Sequence, residues 1–172
     1  MQVTNFSINP KQMFSGQLDF LSNFYPARVT LTINAREYVF PNAEAAFQAG
    51  KCKDAMDVEQ FTRVKSGGEA KRLGRSVSLR PNWEENRVVW MERVVRAKFS
   101  QNPDLKKKLD ETFPIVLKET NYWHDTFWGV CNGKGENNLG RILMKIRDEG
   151  RVDGLQQTIH LLNTDRWERD RS

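Results

Sequence analysis

The sequence has few histidines and cysteines and no long apolar run. Its 172 residues include two His and two Cys, and the cysteines lie far apart, without neighbours at metal-ligand spacing. We therefore expect no disulfide framework, no metal site and no cofactor. No segment approaches the roughly 20 apolar residues that cross a bilayer, and Met1–Phe6 lacks the features of a secretory signal. A cytoplasmic protein without a membrane partner is expected.

The charge balance is basic but modest. A formal net charge of +5 favours an anionic ligand, yet it is small for a protein that grips a long duplex. Basic residues also alternate with acidic ones instead of forming one block. A phosphorylated small molecule fits this balance as well as a nucleic acid does.

Length and composition predict one globular domain, mainly α within the α+β class, with a small antiparallel sheet. Alternating apolar residues over 29–33 and 38–40 indicate a hairpin. Asn42 can cap a helix that runs to about Lys51. Asn82 and Glu85 form a capping-box pattern at the start of a long helix. The remaining predicted elements are helices over 58–65, 69–73, from 102, around 139–146 and around Leu155, Ile159 and Leu162, a strand over 115–117, and a long ordered loop over 119–136.

Glu44 falls in the first turn of the helix that Asn42 caps. The helix dipole there favours the carboxylate by about 0.3 to 1 kcal/mol, whereas an apolar pocket would raise its pKa and make it a proton donor. Spacing places Gln48 and Lys51 on the same helix face. The alternative is an ordinary acid on a solvated helix.

Indole rings flank a carboxylate in the loop that contains Trp123, Asp125 and Trp128. An aromatic face can stack on a base, and the acid can stabilise an oxocarbenium-like sugar. The alternative is a surface loop pinned by a core tryptophan. Trp90 lies in a helix with a wide apolar surface, where an aromatic usually belongs to the core.

Residues 133–141 contain three glycines ahead of a helix. Gly135 and Gly140 have the spacing of a phosphate loop, but Arg141 stands where that motif has lysine, and no buried strand precedes it, which excludes a nucleoside triphosphatase. Two uses of the loop fit this pattern: its amide groups bind a phosphate, or it is a tight turn and helix cap.

Taken together, the motifs resemble those of the NADAR family, also called YbiA-like, from Phe14 to about Arg147. The matching segments are Leu21–Pro26, Phe40–Glu44, Phe47–Ala49 with Lys51, Ala70–Arg75, Trp83, Trp90–Met91, Lys98–Phe99, Leu117–Glu119, Asp125 with Trp128–Gly129, and Gly135–Met144. Each segment is weak alone, and their order and spacing carry the resemblance.

The resemblance implies hydrolysis of an N-glycosidic bond. Its substrates would be phosphoribosylamino-pyrimidine intermediates of riboflavin synthesis, or ADP-ribose attached to guanine in nucleic acid. Glu44 resembles the acid/base residue, Asp125 a further active-site residue, and Lys51 a phosphate contact or a nucleophile. The substrate-binding candidates are Asn23, Phe24, Arg75, Trp90, Trp128, Gly135, Asn137 and Arg141. We expect Glu44 and Asp125 to face one cavity.

Two positions depart from the family pattern. Ala45 stands where many relatives have histidine, and Asn42 where many have threonine. If the missing histidine disables catalysis, the chain would instead be a non-catalytic module that binds ADP-ribose or a related nucleotide. A nucleic-acid-binding protein is the third alternative. The predicted domain covers 1–150, and 151–172 is predicted as a helical extension packed on it.

Overall fold

The computed structural model describes residues 14–151 and 156. Its elements in chain order are a 3-10 helix Gly16–Leu21, β1 Pro26–Ile33, β2 Arg36–Asn42, α1 Ala43–Ala49, α2 Ala55–Gln60, α3 Gly67–Leu73, α4 Trp83–Gln101, α5 Pro103–Glu111, β3 Thr120–Asn121, β4 Val130–Cys131 and α6 over 138–151. The predicted mainly α class with a small antiparallel sheet is confirmed. The helix predicted around Leu155, Ile159 and Leu162 lies outside the described residues.

The hairpin forms where the alternating pattern predicts it. β1 and β2 pair antiparallel, with Val29 opposite Phe40 and Ile33 opposite Arg36. Two residues with positive φ, Asn34 and Ala35, make the turn, as two-residue hairpin turns require. The apolar residues of β1 point into the core and the polar ones point outward, so the hairpin forms one wall of the domain.

Helix α1 follows directly from β2 and lies at the centre of the domain. The Asn42 side chain accepts a hydrogen bond of 2.8 Å from the amide of Ala45, which satisfies one of the free donors of the first turn. All seven residues of α1 are buried. The helix packs against the hairpin, α3 and α4, so any polar side chain on it faces protein or an enclosed space.

Helix α4 begins at Trp83, but the predicted capping box is wrong. Asn82 adopts a left-handed conformation, with φ of 57°, and its side chain makes no cap. Its carbonyl instead accepts hydrogen bonds from the backbone and side-chain nitrogens of Asn86. The left-handed backbone turns the Asn82 side chain away from the amides that it would have to reach.

Near the end of α4, a buried lysine anchors the segment that leads to Asn23. Nζ of Lys98 donates to the carbonyl oxygens of Phe20 and Ser22 over 2.6 and 2.8 Å. These carbonyls end the 3-10 helix, where they lack partners within the helix. Lys98 therefore fixes the backbone immediately before Asn23.

No strand forms over 115–117, contrary to the sequence prediction. Three backbone groups of this segment bond to side chains: the Leu117 carbonyl accepts from Asn137, the Leu117 amide contacts the sulfur of Met144, and the Ile115 carbonyl accepts from Arg147. Buried backbone groups need a partner but not a particular one. The first strand of this region is β3, which pairs in parallel with β4.

Helix α6 is tied to α4 at the surface. Arg96 forms an ion pair with Glu149, and Lys145 forms one with Glu92, over 2.6 and 2.8 Å. The inner face of α6 contributes Leu139, Leu143 and other apolar residues to the core. Within the described part of the chain, no helix is both long enough and apolar enough to span a membrane.

Candidate active site

A cavity of about 480 Å³ opens beside the buried helix α1. This volume lies within the range of small-molecule sites, which is roughly 300 to 1,000 Å³. Its lining comes from the segment before β1, from α1, α3 and α4, from the loop after α5, and from the start of α6. The lining residues are Phe14, Ser22, Asn23, Phe24, Glu44, Phe47, Gln48, Lys51, Lys71, Met91, Glu119, Trp123, Asp125, Trp128 and Leu139.

Glu44 lines this cavity from the first turn of α1. Only 7% of its surface is exposed, so it is not an acid on a solvated helix. Gln48, one turn later, donates a hydrogen bond of 2.7 Å from Nε2 to Oε1 of Glu44. Burial raises the pKa of Glu44, while the Gln48 hydrogen bond and the charges of Lys71 and Lys51 act in the opposite direction. These opposed effects are typical of groups that exchange protons.

Two lysines line the cavity, one from the turn after α1 and one from α3. Lys51 follows α1 and is half-buried; desolvation lowers its pKa, and the charge of Glu44 opposes that change. Lys71 comes from α3 and places Nζ 5.9 Å from the centre of the Trp123 ring. Lysine is a common phosphate ligand because its three donors form a compact positive charge. The pair can therefore hold an anionic group at the cavity.

Asp125 is held in place by the loop that carries it. The Asn121 side chain donates to the Asp125 carbonyl over 2.7 Å and accepts from its amide over 3.1 Å. Oδ1 of Asp125 accepts from the amides of Phe127 and Trp128, over 3.1 and 2.8 Å. Its other oxygen, Oδ2, takes part in none of these bonds. A carboxylate fixed in this way faces the same cavity as Glu44.

The indole of Trp128 is both a core group and a cavity wall. Its ring meets Phe47 edge-on, with centroids 5.4 Å apart, and Phe127 with centroids 4.9 Å apart. The side chain remains half-buried and lines the cavity. Edge-to-face contacts hold a ring in one orientation, so its remaining surface is available to a flat ligand.

Asn23 and Phe24 reach the cavity from the segment that Lys98 anchors. Asn23 is buried; its Nδ2 contacts the sulfur of Met91 at 3.2 Å, and its Oδ1 has no hydrogen-bond partner among the described residues. A buried acceptor without a partner is costly. Phe24 is 44% exposed and lies so close to Gly67 that a Cβ there would overlap its ring. Asn23 is thus suited to accept a hydrogen bond from a ligand.

Trp90 lies outside the cavity lining of residues 14–151. Its Nε1 donates to the Ala46 carbonyl over 3.2 Å, and a Cβ at Gly50 would overlap the indole. The ring therefore packs against the end of α1. The apolar stripe of α4 predicted a buried aromatic here, and the contacts are those of a core residue.

The glycine segment before α6 uses its amides within the protein. The amides of residues 136–139 donate to the carbonyls of residues 126–129. The Asn137 side chain also bonds to Leu117 and Glu119, and a Cβ at Gly135 would overlap the carbonyl of Gly129. The segment is thus a tight turn and cap, and the amides of residues 136–139 are not free for phosphate. Arg75 and Arg141 are exposed and also lie outside the lining.

Several lining residues had no role in the sequence prediction: Phe47, Lys71, Met91 and Glu119. Gln48 was placed on the correct helix face without a function. Glu119 is the most informative omission because it adds a third carboxyl group beside Glu44 and Asp125. Among the described residues, no three acidic, His or Cys side chains converge in the manner of a metal site.

Ala45 is fully buried in the core and lies outside the cavity lining. It therefore points away from the side of α1 that carries Glu44 and Gln48. Ala45 thus adds no group to the described lining of the cavity.

Comparison with known proteins places these features in a family. Residues 13–151 match the NADAR domain. The chain belongs to this family. The match covers every described residue that lines the cavity, so the whole site lies within the NADAR domain.

Relatives of this NADAR domain include proteins with two kinds of name. The chain is 38% identical over 133 residues to a riboflavin biosynthesis protein of Vibrio vulnificus, covering 76% of this chain and 35% of that protein. It is 41% identical over 113 residues to N-glycosidase YbiA of Shigella boydii, covering 64% and 70% respectively. The chain thus spans about a third of the Vibrio protein.

The NMR structure of the Escherichia coli protein YbiA has the same fold. The two structures superpose with a TM-score of 0.71 and 31% sequence identity, over 90% of this chain and 96% of that one. The likeness therefore extends over nearly the whole of both chains.

Proposed function

We propose that this chain is an N-glycosidase that hydrolyses the bond between a phosphorylated ribose moiety and a nitrogenous base. The observation that carries the proposal is that Glu44, Asp125 and Trp128 line one cavity. The name N-glycosidase, borne by YbiA relatives at about 40% identity, supports the same reaction class.

The two carboxylates suit the charge changes of this reaction. As the bond to the base breaks, the sugar gains oxocarbenium character, and a nearby carboxylate stabilises that positive charge. Asp125 is fixed through Oδ1 and keeps Oδ2 for this role. Glu44 is the acid/base residue, and such a proton transfer contributes about 10² to 10⁴ in rate.

The other lining groups bind different parts of the substrate. Trp128 stacks on the base, an interaction worth about 1 to 3 kcal/mol. Lys51 and Lys71 hold the phosphate as point charges. In this arrangement Lys51 is a phosphate contact, and Asn23 supplies an acceptor for a sugar hydroxyl.

A phosphoribosylamino-pyrimidine is the first substrate class we propose. The riboflavin biosynthesis relative from Vibrio vulnificus supports it by its name. ADP-ribose on guanine in nucleic acid is the second candidate. It is favoured by Phe24 and Trp123, which line the cavity while 44% and 42% exposed, because exposed aromatic rings can stack on further bases. That substrate would have to be single-stranded or flipped out of a duplex.

A non-catalytic module that binds ADP-ribose is the rival function. It was motivated by the missing histidine, but Ala45 belongs to the core and not to the cavity lining. The acid/base residue keeps its Gln48 partner without it. The placement of Ala45 therefore favours catalysis over binding alone.

Base release separates these functions. The protein is incubated in parallel with a phosphorylated ribosylamino-pyrimidine and with a single-stranded oligonucleotide carrying ADP-ribosylated guanine, and free base and sugar are quantified. We expect multiple turnovers on one of the two. Tight binding of ADP-ribose without release from either substrate would support the binding module and reject the N-glycosidase.

A further inference from the structure

Glu119 enters the cavity from a backbone that is held on both sides. Its amide donates to Oδ1 of Asn137 over 3.0 Å, and its carbonyl accepts from the amide of Val130 over 2.7 Å. These partners fix the Cα of Glu119 beside the cavity. Its side chain then lines the same space as Glu44 and Asp125.

Gly129 makes room for this arrangement. A Cβ at Gly129 would overlap the Glu119 carbonyl and would lie 3.1 Å from Glu119 Cγ. Any larger residue would therefore push Glu119 out of position. Gly129 thus allows the Glu119 carboxyl group to lie at the cavity, in addition to shaping its own loop.

One carboxyl oxygen of Glu119 has no hydrogen-bond partner in the described part of the chain. Oε2 is buried and makes no hydrogen bond to any described residue. A buried, unpaired carboxylate oxygen is costly, whereas a protonated carboxyl is far less so and presents an O–H donor. The cavity therefore favours the protonated form of Glu119.

Burial and the net effect of the charges around Glu119 also favour its protonated form. Burial and the neighbouring Asp125 carboxylate raise the pKa of Glu119 to about 7, against a smaller opposing effect of Lys71. Lys51 and Glu44 are the other charged residues of the lining. Burial raises the pKa of Glu44 as well, but there a Gln48 hydrogen bond and two lysines oppose the effect, whereas at Glu119 only Lys71 does. The two glutamates are thus held in different environments.

We propose that Glu119 is a second proton-transfer residue of the cavity, acting as the acid that protonates the leaving base while Glu44 acts as the base. This inference rests on the proposed N-glycosidase function. The carboxyl proton of Glu119 moves to the leaving nitrogen as the bond from that nitrogen to C1′ of the sugar breaks and its electron pair goes to the nitrogen. Water then forms a bond to C1′ and gives its proton to Glu44. Exchange with solvent returns the proton to Glu119 and removes it from Glu44.

The test is the pH profile of kcat/KM for the wild type, Glu119→Gln and Glu119→Asp. The substrates are the phosphorylated ribosylamino-pyrimidine and the ADP-ribosylated guanine oligonucleotide, and free base is the readout. Glu111→Gln, on the exposed end of α5, is the matched control for loss of one acidic group. Because a general acid must carry its proton, wild-type activity should fall as the pH rises above about 7.

Glu119→Gln should lower kcat by at least about 10²-fold, leave KM within a few-fold, and lose the alkaline limb of the profile. Glu119→Asp should restore a titrating limb and part of the rate. A merely structural role would change stability but not the limb. If the wild type is active, and Glu119→Gln is also active and keeps the alkaline limb of the pH profile, this inference alone is overturned. A wild type that releases no base from either substrate would overturn the proposed function itself.

Discussion

The side-chain amide of Gln48 donates to Oε1 of Glu44 over 2.7 Å, from one helical turn away. Both residues are buried on α1. Gly74 permits the contact, because a Cβ there would overlap Oε1 of Gln48. The carboxylate of Glu44 is thus oriented by its own helix, and the hydrogen bond favours its charged form.

Replacing Gln48 with methionine should shift the titration of Glu44. The hydrogen bond lowers the pKa of Glu44, so its loss should raise that pKa further. If Glu44 must be ionised to accept a proton, the acidic limb of kcat/KM should move to higher pH, with KM little changed. Gln60→Met, on the exposed face of α2, is the control. An unmoved acidic limb in Gln48→Met would contradict the positioning role.

Asp125 should respond differently to two substitutions. Asp125→Asn keeps an oxygen that accepts from the amides of Phe127 and Trp128 but removes the charge. We expect kcat to fall at least about 10-fold, with KM and Tm little changed. Asp125→Ala should also lose about 1 kcal/mol of stability, because the two amides lose their acceptor. Wild-type kcat in the Asn variant would show that the charge is dispensable.

Trp128→Ala should weaken substrate binding and also lower Tm. The indole supplies a stacking face worth about 1 to 3 kcal/mol and packs on Phe47 and Phe127. Trp128→Phe should recover part of both losses. The Trp90 ring packs on Gly50, outside the lining of the cavity, so Trp90→Phe should lower Tm and leave KM unchanged. The stacking role is rejected if KM stays constant in Trp128→Ala while Tm falls.

Glu119→Gln should stabilise the protein at high pH. The pKa of Glu119 in the folded state is raised from 4.5 to about 7, so between these values the unfolded chain releases a proton that the folded chain keeps. Its contribution to stability is therefore present below about pH 4.5 and is lost as the pH rises through 7. Removing the carboxylate should raise the unfolding free energy at pH 8 by about 1 to 3 kcal/mol. Urea unfolding at pH 5 and pH 8 measures this, and an equal effect at both would refute the assignment.

Sequence patterns predicted the elements that are determined by neighbouring residues. The hairpin follows from alternation in β1, the start of α1 from the Asn42 cap, and the start of α5 from Pro103, which suits the first helical position. The shared face of Glu44 and Gln48 follows from their spacing of four. The failure of the predicted Asn82 cap could not be foreseen, because it follows from the left-handed backbone of Asn82, which no local sequence pattern indicates.

Residues brought together from distant segments were harder to foresee. The burial of Glu119 depends on Asn137 and Gly129, which are 18 and 10 positions away, and no periodic pattern links them. Trp90 was placed at the substrate by resemblance, but helical periodicity gives only the stripe it lies on. In the structure its indole contacts Gly50, just after α1, and lies outside the described lining of the cavity.

The most direct test of the account is the turnover of Glu44→Gln on whichever substrate the wild type cleaves, measured as free base released under saturating conditions. The amide keeps the shape and can still accept the Gln48 hydrogen bond, so circular dichroism and Tm should match the wild type. We expect kcat to fall at least about 10²-fold, because the proton-transfer group is lost. A folded Glu44→Gln protein that turns over at the wild-type rate would contradict the account.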